Sequence, residues 1–181
     1  MALVPYITDA DIAADTTRTD VATAIRARRK NGQLLNLDRM LLQCPPVARG
    51  WNAYMGAIRT QMQLSPLLRE LAICAVAVLN RADYEWTQHA PEFLAAGGSQ
   101  AQLSALKALD TRGPNVPAFS ALERLTLALT IEMTRDINLT SATKEALQAQ
   151  LPAREIAELV SVIASYNMVS RYLVALGIEP E

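Results

Sequence analysis

Apolar residues recur three and four positions apart through most of this 181-residue chain, while the strict alternation of half-buried strands joined by hairpin turns is missing. The pattern predicts helices over about 18–30, 35–43, 47–62, 66–81, 83–96, 99–109, 118–135, 140–150 and 152–176. Glycine and proline are read as falling between these segments rather than inside them. Cys44-Pro45-Pro46 stops the second helix, and Ser65-Pro66 offers an N-cap followed by proline at the first helical position. Asp83 is expected to cap the next helix, Gly97-Gly98 to end it, and Ser99 with Gln102 to form a capping box. The clearest loop is 110–117, and Gly177 terminates the last helix. The expected fold is all-α, a single-domain helical bundle, with an N-terminal helical arm over 1–33 and the main helical domain over 34–181.

Composition narrows this picture. Hydrophobic residues make up 51% of the chain but aromatic ones only 5%, so the core must be built from Ala, Leu, Val and Ile, which suits packed helices. That much apolar surface on a small chain also predicts a homo-oligomer. A net charge of −1 gives no field for a polyanion, and no nucleic-acid partner is expected. The one basic cluster, Arg26, Arg28, Arg29 and Lys30, precedes Asn31-Gly32, where cations complement a helix C-terminus. The N-terminal stretch carries Asp9, Asp11, Asp15 and Asp20 in place of a basic leader, and no uncharged apolar run reaches the ~18 residues of a membrane span. A cytoplasmic protein without a membrane partner is expected, with Cys44 and Cys74 as free thiols.

Candidate chemistry concentrates in Asp83-Tyr-Glu-Trp-Thr-Gln-His89. Glu85 and His89 are four apart and share a helix face, beside an apolar stripe of Trp86, Ala90, Phe93 and Gly97. At such a boundary a carboxylate and an imidazole can be partly desolvated and matched for proton transfer. Glu70, aligned with Cys74 and Ala77 on the preceding helix, is a candidate buried acid; a solvent-facing carboxylate in the first turn is the competing reading. Likewise, an exposed Glu/His pair would only stabilise its helix. Tyr84 and Trp86 are candidates to shape a pocket or merely to pack. His89 is the chain's single histidine, so no metal site and no cofactor is expected.

Leu64-Ser-Pro-Leu-Leu-Arg-Glu70, Asp83 to His89, Ala95-Ala-Gly-Gly98 and the ending Glu158 to Asn167 with Arg171 and Ala175-Leu-Gly177 together resemble the carboxymuconolactone decarboxylase family, whose superfamily includes alkylhydroperoxidase D. The resemblance covers about 34–177. It implies an all-helical fold assembled as trimers or hexamers, with sites near subunit contacts. The peroxidase branch spaces a Glu, a Cys-x-x-Cys and a His so that they fall at Glu70, Ala82, Glu85 and His89 here. Both cysteine positions are therefore filled by residues that cannot supply a thiolate. The decarboxylase branch has Glu and His at the Glu85 and His89 positions.

Three functions follow. The first is a cofactor-independent acid/base enzyme acting on a small organic acid or lactone, with Glu70, Glu85 and His89 catalytic and Tyr84 and Trp86 binding substrate. The second is peroxide reduction through the lone thiol of Cys74. The third is a non-catalytic helical oligomer that binds a small ligand or partner and leaves Glu85 and His89 facing solvent.

Overall fold

The computed structural model describes residues 1–109 and 117–181, except the side chain of residue 30. The loop expected over 110–117 lies, but for its last residue, outside the described residues. The described chain is all-α: α1 (Asp9–Ala13), α2 (Thr16–Arg28), α3 (Asn36–Leu41), α4 (Pro45–Thr60), α5 (Pro66–Leu79), α6 (Asp83–Ala95), α7 (Gln100–Leu106), α8 (Ala121–Arg135), α9 (Ser141–Gln150) and α10 (Ala153–Leu176). It falls into two compact units, residues 1–62 with 173–181, and residues 63–172.

In the first unit α2 packs on α1 and α4, and α3 packs on α4. The short α1 was not foreseen, because five residues carry too little periodicity to register; Thr8 and Asp11 form the capping box that holds it. A bidentate ion pair, Arg29 Nε and Nη2 to the two carboxylate oxygens of Asp38 at 2.8 and 2.6 Å, ties the end of α2 to α3. Asp38 Oδ2 also accepts the Leu35 backbone N–H at 2.9 Å. The chain ends meet here, with Leu3 N–H donating to the Leu176 carbonyl and the terminal ammonium on Glu179. Gly177, at φ +61, brings its backbone so near the Met1 carbonyl that an added Cβ would lie 2.7 Å from that oxygen.

The second unit is organised around α5, which packs against α6, α7 and α8. Every residue from Glu70 to Ala77 is buried, a run of small and branched apolar side chains that lets neighbours approach on all sides. Leu71, Cys74 and Ala75 join Phe93 of α6, Leu103 and Leu106 of α7, Leu109, Phe119 and Leu127 of α8 in one core. The Ser99/Gln102 and Ser120/Glu123 capping boxes fix the starts of α7 and α8. The second of these explains why α8 begins at Ala121 rather than near 118.

Three local expectations are corrected. Pro91 lies inside α6, and Gly50 and Gly56 lie inside α4. Proline is tolerated because residues 87 and 91 face solvent, so water can serve the carbonyl that loses its helical donor. Asp83 does not cap α6; it is the first helical residue, and Ala82 stands at the cap without a side-chain bond. Ser65 likewise makes no side-chain cap, and α5 relies on Pro66 at its first turn.

α10 is 24 residues long and, by length and composition, apolar enough to cross a membrane, but half of its most apolar window is buried inside the protein. Core packing accounts for that buried half.

Candidate functional site

Between α5 and α6 the chain turns on Arg81, which adopts φ +55. Ala82 N–H bonds the Ala77 carbonyl at 2.9 Å and Arg81 N–H bonds the Val78 carbonyl at 3.2 Å, a Schellman closure with arginine where glycine is usual. This tight reversal returns α6 along α5. The imidazole of His89, seven positions into α6, thereby reaches Glu70 near the start of α5.

The contact is direct: His89 Nδ1 lies 2.7 Å from Glu70 Oε2. Both residues are buried, at 7% and 5% exposure. Arg69 Nε donates to the other Glu70 oxygen at 3.1 Å. Burial alone would push the Glu70 carboxyl up; the hydrogen bond and charge of His89, joined by those of Arg69, outweigh it and hold the group below its ordinary 4.5. An ionised Glu70 is an acceptor only, so the shared proton belongs to Nδ1. Nε2 is then the imidazole position that changes protonation state.

Glu85, one turn before His89 and in the first turn of α6, is 1% exposed. Its Oε2 accepts a hydrogen bond from Ser170 Oγ of α10 at 2.7 Å. Tyr166, one turn before Ser170, meets the His89 ring edge-on, with centroids 5.0 Å apart and planes at 87°. Glu70, Glu85 and His89 are thus all withdrawn from solvent, which removes the exposed-pair and first-turn-carboxylate alternatives.

The remaining candidates separate. Tyr84 is buried, and Trp86 packs half-buried on the core with Lys107 Nζ 5.7 Å from its ring centroid. Cys74 is fully buried, and burial, then the charges of Glu70 and Glu85, push its thiol far above the normal range. Cys44 is exposed. Among the described residues no three His, Cys, Asp or Glu side chains group as metal ligands. Sequence reasoning missed Tyr166 and Ser170, since a tyrosine and a serine some eighty residues away have no local motif to mark them. Helical phase gave a clue, as the two are four apart and face one side of α10.

Residues 45–127 match the carboxymuconolactone decarboxylase family. The whole chain superposes on solved structures of the same fold. One is an uncharacterized peroxidase-related protein from Silicibacter sp. TM1040, 22% identical with a TM-score of 0.75, covering 98% of this chain and 92% of that one. Another is an alkylhydroperoxidase AhpD core protein, described as an uncharacterized peroxidase-related protein, from Ralstonia eutropha JMP134, 17% identical with a TM-score of 0.77, covering 99% and 92%. Over residues 45–127 the chain is similar to the carboxymuconolactone decarboxylase family, and it shares the all-α fold of these solved structures. The debrominase Bmp8 bound to 2,3,4-tribromopyrrole, with a cysteine replaced by alanine, also shares the fold at 15% identity and a TM-score of 0.74, covering 100% of this chain and 92% of that one. No curated protein matches the sequence. The family match contains Glu70, Cys74, Tyr84, Glu85, Trp86 and His89, and ends before Tyr166 and Ser170.

Proposed function

We propose that the chain is a cofactor-independent acid/base enzyme of the carboxymuconolactone decarboxylase type, acting on a small organic acid or lactone by decarboxylation or a related proton shift. The observation that carries this reading is the buried 2.7 Å contact between Glu70 and His89, with a second buried carboxylate, Glu85, one helical turn away. Carboxylate and imidazole withdrawn from water are the groups that proton transfer to and from carbon requires.

In this reading Glu70 holds Nδ1–H and so keeps Nε2 turned to the reacting molecule. When carbon dioxide leaves a substrate carboxylate, the bonding pair stays on carbon and is stabilised by conjugation into a neighbouring carbonyl. A proton from Nε2–H then quenches it, and the imidazole recovers that proton from water. A homo-oligomer is part of the same proposal, supported by exposed apolar side chains such as Tyr54, Leu94, Met168 and Val174.

The resemblance to peroxidase-related proteins supports the second reading, peroxide reduction, only at the level of the fold, and Cys74 is poorly suited to it, because a buried thiol near two carboxylates resists ionisation and the thiolate is the nucleophile in that chemistry. The acid/base reading is tested with carboxymuconolactone and a panel of small lactone acids, following carbon dioxide release. Wild type should turn over at least one member, and Glu85→Gln and His89→Gln, each folded by circular dichroism, should each be slower by about 100-fold or more. An inert wild-type protein across the panel, or full activity in either variant, overturns it.

A further inference from the structure

Two of the candidate site residues of α6 have partners on α10, which runs in the opposite direction: Tyr166 with His89, and Ser170 with Glu85. Ser170 is 0% exposed and is the donor of the 2.7 Å bond, a hydroxyl built into the core. Serines inside helices commonly bond back to the carbonyl four residues earlier, as Ser161 does to Ala157 and Ser165 to Ser161. Ser170 instead directs its proton across to α6. A donor held against a carboxylate favours the ionised form and fixes the orientation of the group.

We propose that Ser170 is a positioning residue, whose hydroxyl holds Glu85 as the resting proton acceptor and leaves proton delivery to His89. The proposal rests on the acid/base reading above and adds a division of labour to it. For a proton shift, Glu85 takes one proton from the substrate while His89 Nε2–H gives one. The substrate therefore keeps its proton count, and one proton passing through water from Glu85 to His89, one turn away, resets the site. Ionisable groups near Glu85 include Asp83, Tyr84 and His89 on its own helix, Tyr166 on α10, and Cys74 on α5, which feels the charges of both Glu70 and Glu85, while Arg171 beside Ser170 directs its guanidinium to Asn167.

The test is a carbon-13 carboxyl NMR titration of the full-length protein labelled at glutamate, with Glu85→Gln identifying the Glu85 resonance. Ser170→Ala, which deletes one oxygen and leaves the helix intact, should move the Glu85 midpoint upward by about one pH unit, a tenfold change in its protonation constant. Ser170→Thr, which keeps the hydroxyl, should bring the midpoint back toward wild type. An unchanged midpoint in a folded Ser170→Ala protein overturns the proposal. So does a midpoint that stays raised in a folded Ser170→Thr protein. The two readings fail separately. If Glu85→Gln abolishes turnover but Glu85 ignores Ser170, only the positioning role is wrong; if Glu85 follows Ser170 but Glu85→Gln is fully active, the linkage stands and the acid/base reading falls.

Discussion

Two buried carboxylates of this protein meet the same physical problem with different partners. Asp38, in the unit formed by the first 62 residues and the last nine, is neutralised by Arg29 through two short bonds, with a backbone N–H added. Glu70, in the unit of residues 63–172, is met by His89 and Arg69. Guanidinium never gives up its proton in a protein, so the Arg29–Asp38 pair can only lock α2 to α3. Imidazole exchanges its proton near neutral pH, so a carboxylate faced by His89 has a partner able to pass a proton on. Burial of an acid therefore does not mark a site; the titratability of what faces it does.

The contrast breaks most visibly in activity. His89→Gln should remove turnover by about 100-fold or more while leaving the melting temperature within a few degrees, because glutamine still offers a donor to Glu70. Arg29→Met should do the reverse. It strands the Asp38 carboxylate in the interior and should cost about 3 kcal/mol in a denaturant titration, with turnover per folded molecule unchanged. If Arg29→Met instead proved neutral to stability, the pair would not be the lock described here.

Acid sharpens the comparison further. Glu70 is held below its ordinary 4.5 in the folded protein, so the unfolded chain binds its proton first as pH falls. The stability that this group contributes is complete above about pH 4.5 and drains away as pH drops through the lower folded value. Melting temperatures of wild type and Glu70→Gln, measured from pH 4.5 to pH 3, below the range in which an imidazole partner exchanges its proton, should converge as the pH falls. A difference that grows on acidification would show the sign to be wrong. The smallest effect concerns the thiols. In the native protein a thiol reagent should modify Cys44 quickly and Cys74 only after denaturation, and Cys74→Ala should keep turnover within about twofold.

Much of this was legible in the order of residues, for identifiable reasons. The capping box at Ser99 is written within four residues, so α7 is marked at its start, and the periodicity of α5 and α6 places Glu70, Glu85 and His89 on helix faces. Where the signal needed a glycine and found none, at Arg81, the turn type was invisible, and with it the height at which α6 crosses α5. Where a helix is five residues long, as α1 is, its caps outweigh its periodicity.

By itself, then, the sequence determined that the chain is helical and that Glu70, Glu85 and His89 lie on two successive helices, because these are matters of local spacing and residue type, and it carries Ala82 and Glu85 where the resemblance to the peroxidase branch expects cysteines. Only the tertiary structure decided which groups touch. The left-handed turn at Arg81 puts His89 on Glu70, and the return of α10 brings Ser170 to Glu85, since a hydrogen bond depends on positions in space that no spacing along the chain encodes.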